Sequence, residues 1–183
     1  MNIFVLHEDP QIAAQMMCDK HVVKMIVESA QMLSTAHRVL DGIEWTDYSK
    51  NGRRIKRWRS PHNLMEEMLY KASFVGHPCT QWVMENNKNY YWLVEHAYEL
   101  CKEYTRRYKK VHKTEDMISL VRFRKPVNIE IADSMTPFAQ AMPEEYKNSN
   151  AVEAYRAYYL GEKTAFAEWK YSDTPSWYEE VLV

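Results

Sequence analysis

The 183-residue chain has a net charge of −1 and an ordinary content of apolar residues, enough for a hydrophobic core without disulfides or metals. This balance excludes a protein that binds polyanions through its overall charge, so nucleic-acid binding would need a local basic patch. Four glycines are few, which favours helices over a turn-rich sheet. Three cysteines without CxxC spacing indicate reduced thiols inside a cell, and no apolar run is long enough for a membrane span.

The first part of the chain is predicted to be largely helical. An apolar segment at 2–6 is either a lone strand or an extended lead-in. Asp9-Pro10 then fits the N-cap and first position of a helix over 11–19. The helical pattern of 16–40 contains no Gly or Pro, and Asp41-Gly42 provides its end.

The remainder predicts more helices separated by polar breaks. The stretch of about 44–59 contains Asn51-Gly52 and is predicted to be a flexible loop. Further helices are expected at 62–74, 80–110, 115–123 and 150–169, with a loop that includes a turn or two of helix at 128–143 and a short aromatic tail after Thr174-Pro175. The sequence therefore predicts an all-α fold, one compact domain over 1–183 with about four to six helices.

One face of the long helix carries charges that could serve chemistry. Lys20, Lys24 and Glu28 share the polar side of the helical wheel, with His21 at its border. The lysines could hold an anionic ligand while His21, which titrates near neutral pH, moves protons. Glu28 lies two turns from His21, roughly 10 Å along the axis, so one substrate could lie between them. A solvated amphipathic face explains the same pattern.

The second half of the predicted loop is the most basic segment of the chain. Five cations surround one indole there: Arg53, Arg54, Lys56, Arg57 and Arg59 around Trp58. Such a cluster suits phosphate contacts beside a stacking platform, and a solvated loop is an equal alternative. His77, before a proline at a helix entrance, is a further candidate. The seven histidines lack HxH or HExxH spacing, so no metal site is predicted, and no GxSxG or Walker motif occurs.

Several short segments together resemble the phage-type pyrimidine-dimer DNA glycosylases, the endonuclease V enzymes of ultraviolet repair. They are Lys20-His21-Val22-Val23-Lys24, Gly76-His77-Pro78, 142–147, and Thr174-Pro175-Ser176-Trp177-Tyr178. The resemblance implies a small helical enzyme that acts on double-stranded DNA without a cofactor. In that family the N-terminal α-amine attacks C1′ of the damaged nucleotide, and a helix carboxylate assists the reaction. An α-amine has a lower pKa than a lysine side chain, so more of it is a free nucleophile.

The resemblance assigns roles to residues of this chain. Met1 would supply the amine, because the bulky Asn2 disfavours removal of Met1. The family's acid falls at His21, so either His21 or Glu28 would be the acid or base. The DNA contacts would come from Lys20, Lys24, Arg53, Arg54, Lys56, Arg57, Trp58, Arg59, His77 and Trp177.

The resulting prediction is a base-excision DNA glycosylase, with or without AP-lyase activity, that acts on damaged or modified bases. We expect a monomer without metal or membrane contact, in the cytoplasm, or in the host cytoplasm if a phage encodes it. Two alternatives stay open. One is a non-catalytic DNA- or nucleotide-binding helical module, and the other is a His-based metal or small-molecule enzyme.

Overall fold

A computed structural model describes residues 1–182, which form eight α-helices, one 3₁₀ helix and one β-hairpin. The helices are α1 Pro10–Met16, α2 Asp19–Asp41, α3 Asn63–Met68, α4 Pro78–Glu85, α5 Asn87–Tyr108, α6 Glu115–Arg122, α7 Ala151–Glu162 and α8 Ser176–Leu182, and the strands are β1 Ile43–Tyr48 and β2 Arg54–Arg59. The 3₁₀ helix is Glu144–Tyr146. The protein is therefore mostly helical, and the hairpin corrects the prediction of an all-α fold.

Helices α2 and α5 form the centre of the molecule. They pack against each other, α1 lies on α5, and α4 contacts both. Their facing side chains, among them Met25, Leu33, Leu93 and Leu100, are fully buried, as the helical spacing of the apolar residues predicts. Within residues 1–182, no helix is both long and apolar enough to cross a lipid bilayer.

Two helix boundaries agree with the capping signals in the sequence. The Asp9 carboxylate accepts hydrogen bonds from the backbone N–H groups of Gln11 and Ile12, at 2.9 and 3.0 Å. Helix α2 ends at Asp41, before Gly42. A Cβ at Gly42 would lie 2.3 Å from the Arg38 carbonyl oxygen and 3.0 Å from that of Arg59, so glycine permits the chain to pass this point.

The prediction of a loop at 44–59 is wrong, because most of this segment forms the antiparallel hairpin. Trp45 pairs with Arg57 across the two strands, and Tyr48 pairs with Arg54. Gly52 adopts a φ of +71° in the connecting turn, a conformation that glycine allows at no steric cost. Asn-Gly between segments that alternate in polarity is a strong hairpin signal, and the abundance of charge obscured it.

Several predicted helices are shorter than expected. The helix expected at 62–74 ends at Met68, and the one expected at 150–169 ends at Glu162. The stretch 80–110 is interrupted at Asn86, whose side chain accepts hydrogen bonds from the N–H groups of Lys88 and Asn89 and so starts a new helix. Asn competes with the helical backbone in this way, and a continuous apolar pattern does not reveal it.

Arg38 joins the hairpin and the segment after α3 to helix α2. Its guanidinium, 4% exposed, donates to the Glu66 carboxylate at 2.7 Å. It also donates to the backbone carbonyls of Trp58, Tyr70, Leu69 and Glu66, at 3.0, 2.6, 2.9 and 3.2 Å. One buried cation therefore binds a carboxylate and four backbone carbonyls.

We expect the substitution Arg38→Ala to lower the free energy of unfolding by about 3 kcal/mol, because it leaves a carboxylate and several carbonyls without their donor. Urea unfolding followed by circular dichroism measures the change. Arg54→Ala, on the exposed surface of the same hairpin, is the matched control and should shift stability by no more than about 0.5 kcal/mol. Equal effects of the two substitutions would contradict the role given to Arg38.

Candidate active site

The amino-terminal segment runs through the core rather than along the surface. Ile3, Val5 and Leu6 are fully buried, and Phe4 is 5% exposed. The Asn2 side chain fixes the start of this segment: its Nδ2 donates to the Ala141 carbonyl at 2.7 Å, and its Oδ1 accepts from the N–H groups of Ile3 and Phe4. The position of the first backbone nitrogens is thus set by tertiary contacts.

The amine of Met1 meets the carboxylate of Glu28. The Met1 nitrogen lies 3.7 Å from Glu28 Oε2, and the backbone N–H of Asn2 donates to the same oxygen at 2.8 Å. Lys24 Nζ lies 3.2 Å from the other oxygen, Oε1. A mostly buried carboxylate, 13% exposed, therefore stands between two cations, and its charge is compensated.

His77 lies close to this amine and carboxylate. It is the N-cap of α4, where its Nδ1 accepts a hydrogen bond from the backbone N–H of Cys79 at 3.2 Å. Burial lowers the pKa of His77, the positive Met1 amine lowers it further, and Glu28 acts in the opposite direction. The neutral ring carries its hydrogen on Nε2, since Nδ1 is an acceptor. His77 is thus a neutral hydrogen-bond donor whose pKa responds to the charges of the amine and of Glu28.

The neighbouring thiol of Cys79 is not a nucleophile. It is fully buried, and burial raises its pKa to about 11, while a hydrogen bond with Tyr155 and the nearby amine act in the opposite direction. A thiol with such a pKa stays protonated near neutral pH.

His21 lies in a buried aromatic cluster and not among the groups that contact the amine. Its ring centroid is 4.5 Å from that of Phe4 and 5.3 Å from that of Phe166, and its Nδ1 shares a hydrogen bond with the Tyr159 hydroxyl. The pKa of His21 is lowered to about 3, mainly by burial and to a smaller extent by the charges of Lys24 and Lys163. The ring is neutral near pH 7, and its surroundings are those of a packing residue.

The predicted DNA contacts fall into separate places. On the hairpin, Lys56 pairs with Glu44 at 2.9 Å and Arg57 with Asp47 at 3.5 Å, whereas the side chains of Arg53, Arg54 and Arg59 are exposed and Trp58 is half-buried. Lys20 is exposed at the start of α2, with its Nζ 5.4 Å from the Phe166 ring centroid. Trp177 packs edge-on against Tyr159, with centroids 6.0 Å apart, so its ring lies within the fold.

The hairpin and the segment before α4 enclose a groove. One wall is the run from Arg53 to Trp58, most of which belongs to β2, and the other is the segment 72–75, which ends two residues before His77. Sequence reasoning missed this second wall because it assigned 62–74 to a helix. Among residues 1–182, no group of three or more His, Cys, Asp or Glu side chains is arranged to hold a metal ion.

The model of the pyrimidine dimer DNA glycosylase family matches residues 1–116, more than half of the chain. The chain belongs to this family. The matched part holds the Met1 amine, Glu28, the hairpin and His77, and it ends before α7 and α8. Neither the curated proteins nor the solved structures contain a significant match to the chain.

The buried histidines predict that this glycosylase-family protein loses stability in mild acid. Burial lowers the pKa of His21 and His96 to about 3 and that of His37 to about 4, whereas an unfolded histidine titrates near 6.5. As pH falls from about 6.5 towards 4, the unfolded chain binds protons that the folded chain does not, so the free energy of unfolding decreases. His21→Gln should reduce this slope by about 1.4 kcal/mol per pH unit around pH 5.

Urea unfolding at a series of pH values measures the slope. The ¹⁵N shifts of the His21 ring in the unsubstituted protein give an independent check, since they should remain those of a neutral imidazole down to pH 5. A His21 ring that titrates near pH 6.5 in the folded protein would contradict the buried environment.

Proposed function

We propose that this member of the family is a bifunctional glycosylase and AP lyase, in which the amine of Met1 is the nucleophile. The contact between that amine and Glu28 carries the proposal. It brings the family's nucleophile next to a carboxylate, and both groups are mostly buried. Lys24 and His77 complete the group. Glu28, on the same polar face as His21, takes the acid–base role that the sequence left open between the two residues.

The reaction follows from this arrangement. The Met1 ammonium first gives a proton to solvent. The neutral amine then forms a bond to C1′ of the damaged nucleotide as the glycosidic bond breaks, and the base leaves with the electron pair and takes the proton that the attacking nitrogen releases. Opening of the sugar ring gives a protonated imine, whose positive charge Glu28 stabilises. Removal of a proton from C2′ then expels the 3′ phosphate by β-elimination, and Glu28 is the nearest carboxylate to accept that proton.

The same carboxylate serves either possible amino terminus. With Met1 retained, its amine lies 3.7 Å from Glu28 Oε2; with Met1 removed, the Asn2 nitrogen would become the amine, and it lies 2.8 Å from the same oxygen. Glu28 Oε2 is thus the carboxylate oxygen next to the amine in both cases, and retention of Met1 changes only the distance between them.

We assign DNA binding to the basic surface of the hairpin. The exposed Arg53, Arg54 and Arg59 on the hairpin supply phosphate contacts that a chain of net charge −1 needs from a local patch. Lys24, whose Nζ contacts Glu28, would meet the phosphate next to the target nucleotide. The substrate is a damaged pyrimidine in double-stranded DNA, since a poorly stacked base costs less to extrude. We further propose a monomer that works in the cytoplasm.

Borohydride reduction tests the covalent step. The protein should form a stable adduct with abasic DNA, and peptide mapping should place the sugar on the nitrogen of Met1 or, after processing, of Asn2. Glu28→Gln should reduce strand cleavage by about 100- to 1,000-fold, because it removes the charge that stabilises the imine. Glu67→Gln, an exposed carboxylate of α3, is the matched control and should leave cleavage unchanged.

An adduct on a lysine side chain would refute the assignment of the nucleophile. Salt-dependent DNA binding without any adduct would instead identify a non-catalytic DNA-binding module.

The double substitution Arg53→Ala and Arg54→Ala should weaken DNA binding about 10-fold near 0.1 M salt and reduce the slope of log K against log salt by about 2. Fluorescence anisotropy with a labelled duplex measures both. The control is the double substitution Lys109→Ala and Lys110→Ala, which also removes two positive charges. These lysines follow Tyr108, whose hydroxyl donates to the Asp19 carbonyl at the start of α2. This control pair should change affinity less than twofold, and the opposite ranking would remove the hairpin from the interface.

A further inference from the structure

A second cavity lies on another side of α2 from the contact between Met1 and Glu28. Its volume is about 410 Å³, within the range of about 300–1,000 Å³ that is typical of sites for small ligands. On α2 its wall includes His37, which is about 13 Å further along the helix axis than Glu28 and roughly 180° around it. The other walls come from α5, from the segment after α6 and from the connection between β2 and α3. The cavity is therefore separate from the proposed active site.

Two aromatic side chains give this cavity flat apolar walls. Tyr91 is 38% exposed and Phe123 is 84% exposed, so a ligand can reach both rings. The Tyr91 ring packs edge-on against the buried ring of Tyr90, with centroids 5.9 Å apart, and the Tyr90 hydroxyl is hydrogen-bonded to His37 Nε2 at 2.8 Å. Tyr91 is thus supported by the core, and its exposed part is suited to stacking on a planar ring.

Cations and one carboxylate line the same cavity. Among the side chains that the structure describes, no carboxylate forms an ion pair with Arg124 or Lys125, so both are available to an anion. The Asp41 carboxylate accepts hydrogen bonds from the backbone N–H groups of Val127 and Asn128, at 2.8 and 2.9 Å. Each carboxylate oxygen has a second lone pair, so Asp41 can accept a further N–H donor from a ligand.

A ligand that matches this lining carries an anionic group, a planar ring and an N–H donor. We propose that the cavity binds a nucleoside monophosphate whose base has an exocyclic amino group. The phosphate pairs with Arg124 and Lys125, the base stacks on Tyr91 and Phe123, and the amino group donates to Asp41. Adenine and cytosine carry such an amino group, whereas thymine has a carbonyl oxygen in its place, which the carboxylate repels. This inference does not depend on the proposed glycosylase function.

A titration of the ¹⁵N-labelled protein with 5′-dAMP, followed by the amide signals in nuclear magnetic resonance spectra, tests the site. A ligand of this size should bind with a Kd of about 10–100 µM. The signals of Tyr91 and of 123–127 should shift, whereas those of Asn2 and Glu28 should not. Thymidine 5′-monophosphate and deoxyadenosine should each bind at least about 10-fold more weakly, because the first lacks the amino group and the second lacks the phosphate.

The same chemistry occurs in a free nucleotide and at the 5′-phosphorylated end of a DNA strand. A 5′-phosphorylated tetranucleotide of deoxyadenosine distinguishes the two. If it shifts the signals of 123–127 at concentrations as low as dAMP does, the end of a strand is a ligand of the cavity. If it shifts them only at higher concentrations, the ligand is the free nucleotide.

The double substitution Arg124→Ala and Lys125→Ala should raise the Kd of dAMP about 10-fold or more, because it removes both partners of the phosphate. The double substitution Lys109→Ala and Lys110→Ala also removes two adjacent cations that follow a helix, and this matched control should change the Kd less than twofold. Borohydride trapping on abasic DNA should respond to neither pair. Thermal unfolding verifies that each variant is folded.

Three results would overturn the proposal: no binding of dAMP at about 1 mM, equal affinity for dAMP and thymidine 5′-monophosphate, or shifts confined to the residues around Met1 and Glu28. Failure of the proposed glycosylase function gives a different result, since the protein would then form no adduct with abasic DNA while dAMP would still shift the signals of 123–127.

Discussion

Hydrogen bonds from a single face of helix α2 position the parts of the site relative to one another. Glu28 holds the amino terminus, Thr35 holds the segment that carries Phe74, and Arg38 holds the hairpin through the Trp58 carbonyl. These residues recur every two turns or fewer, so the helix sets their spacing along its axis. Since each contact is to backbone or to a terminal group, the arrangement depends on helix geometry more than on the neighbouring side chains.

The electrostatics of the protein follow from burial more than from net charge. Its buried cations are neutralised locally: Arg38 by Glu66, and Arg107 by Asp19 and Glu103 at 3.0 and 2.9 Å. Buried histidines are kept neutral by desolvation. The exposed arginines of the hairpin therefore form a local basic patch, even though the chain is close to neutral overall.

Sequence reasoning located most helices, and it failed where polar side chains act over long distances. Asp9, Asp41-Gly42 and the 115–123 pattern mark boundaries through local capping and periodicity, and the structure agrees closely at these places. The hairpin was missed because its charges resemble those of a solvated loop. His21 attracted attention as a titratable residue on a basic helix, yet the wheel places it at the border, and the rings of Phe4 and Tyr159 bury it.

The sequence alone determined the local features: the helices with their caps, the basic segment of 53–59, and a resemblance that points to the amino terminus and one acid. Tertiary structure alone decided which acid meets the amine, because the path of residues 2–6 through the core depends on contacts as distant as Asn2 with Ala141. It also decided that helix α3 ends before Phe74 and that the Phe74 side chain is exposed. Such contacts join residues far apart in the chain, and no short-range pattern of side chains records them.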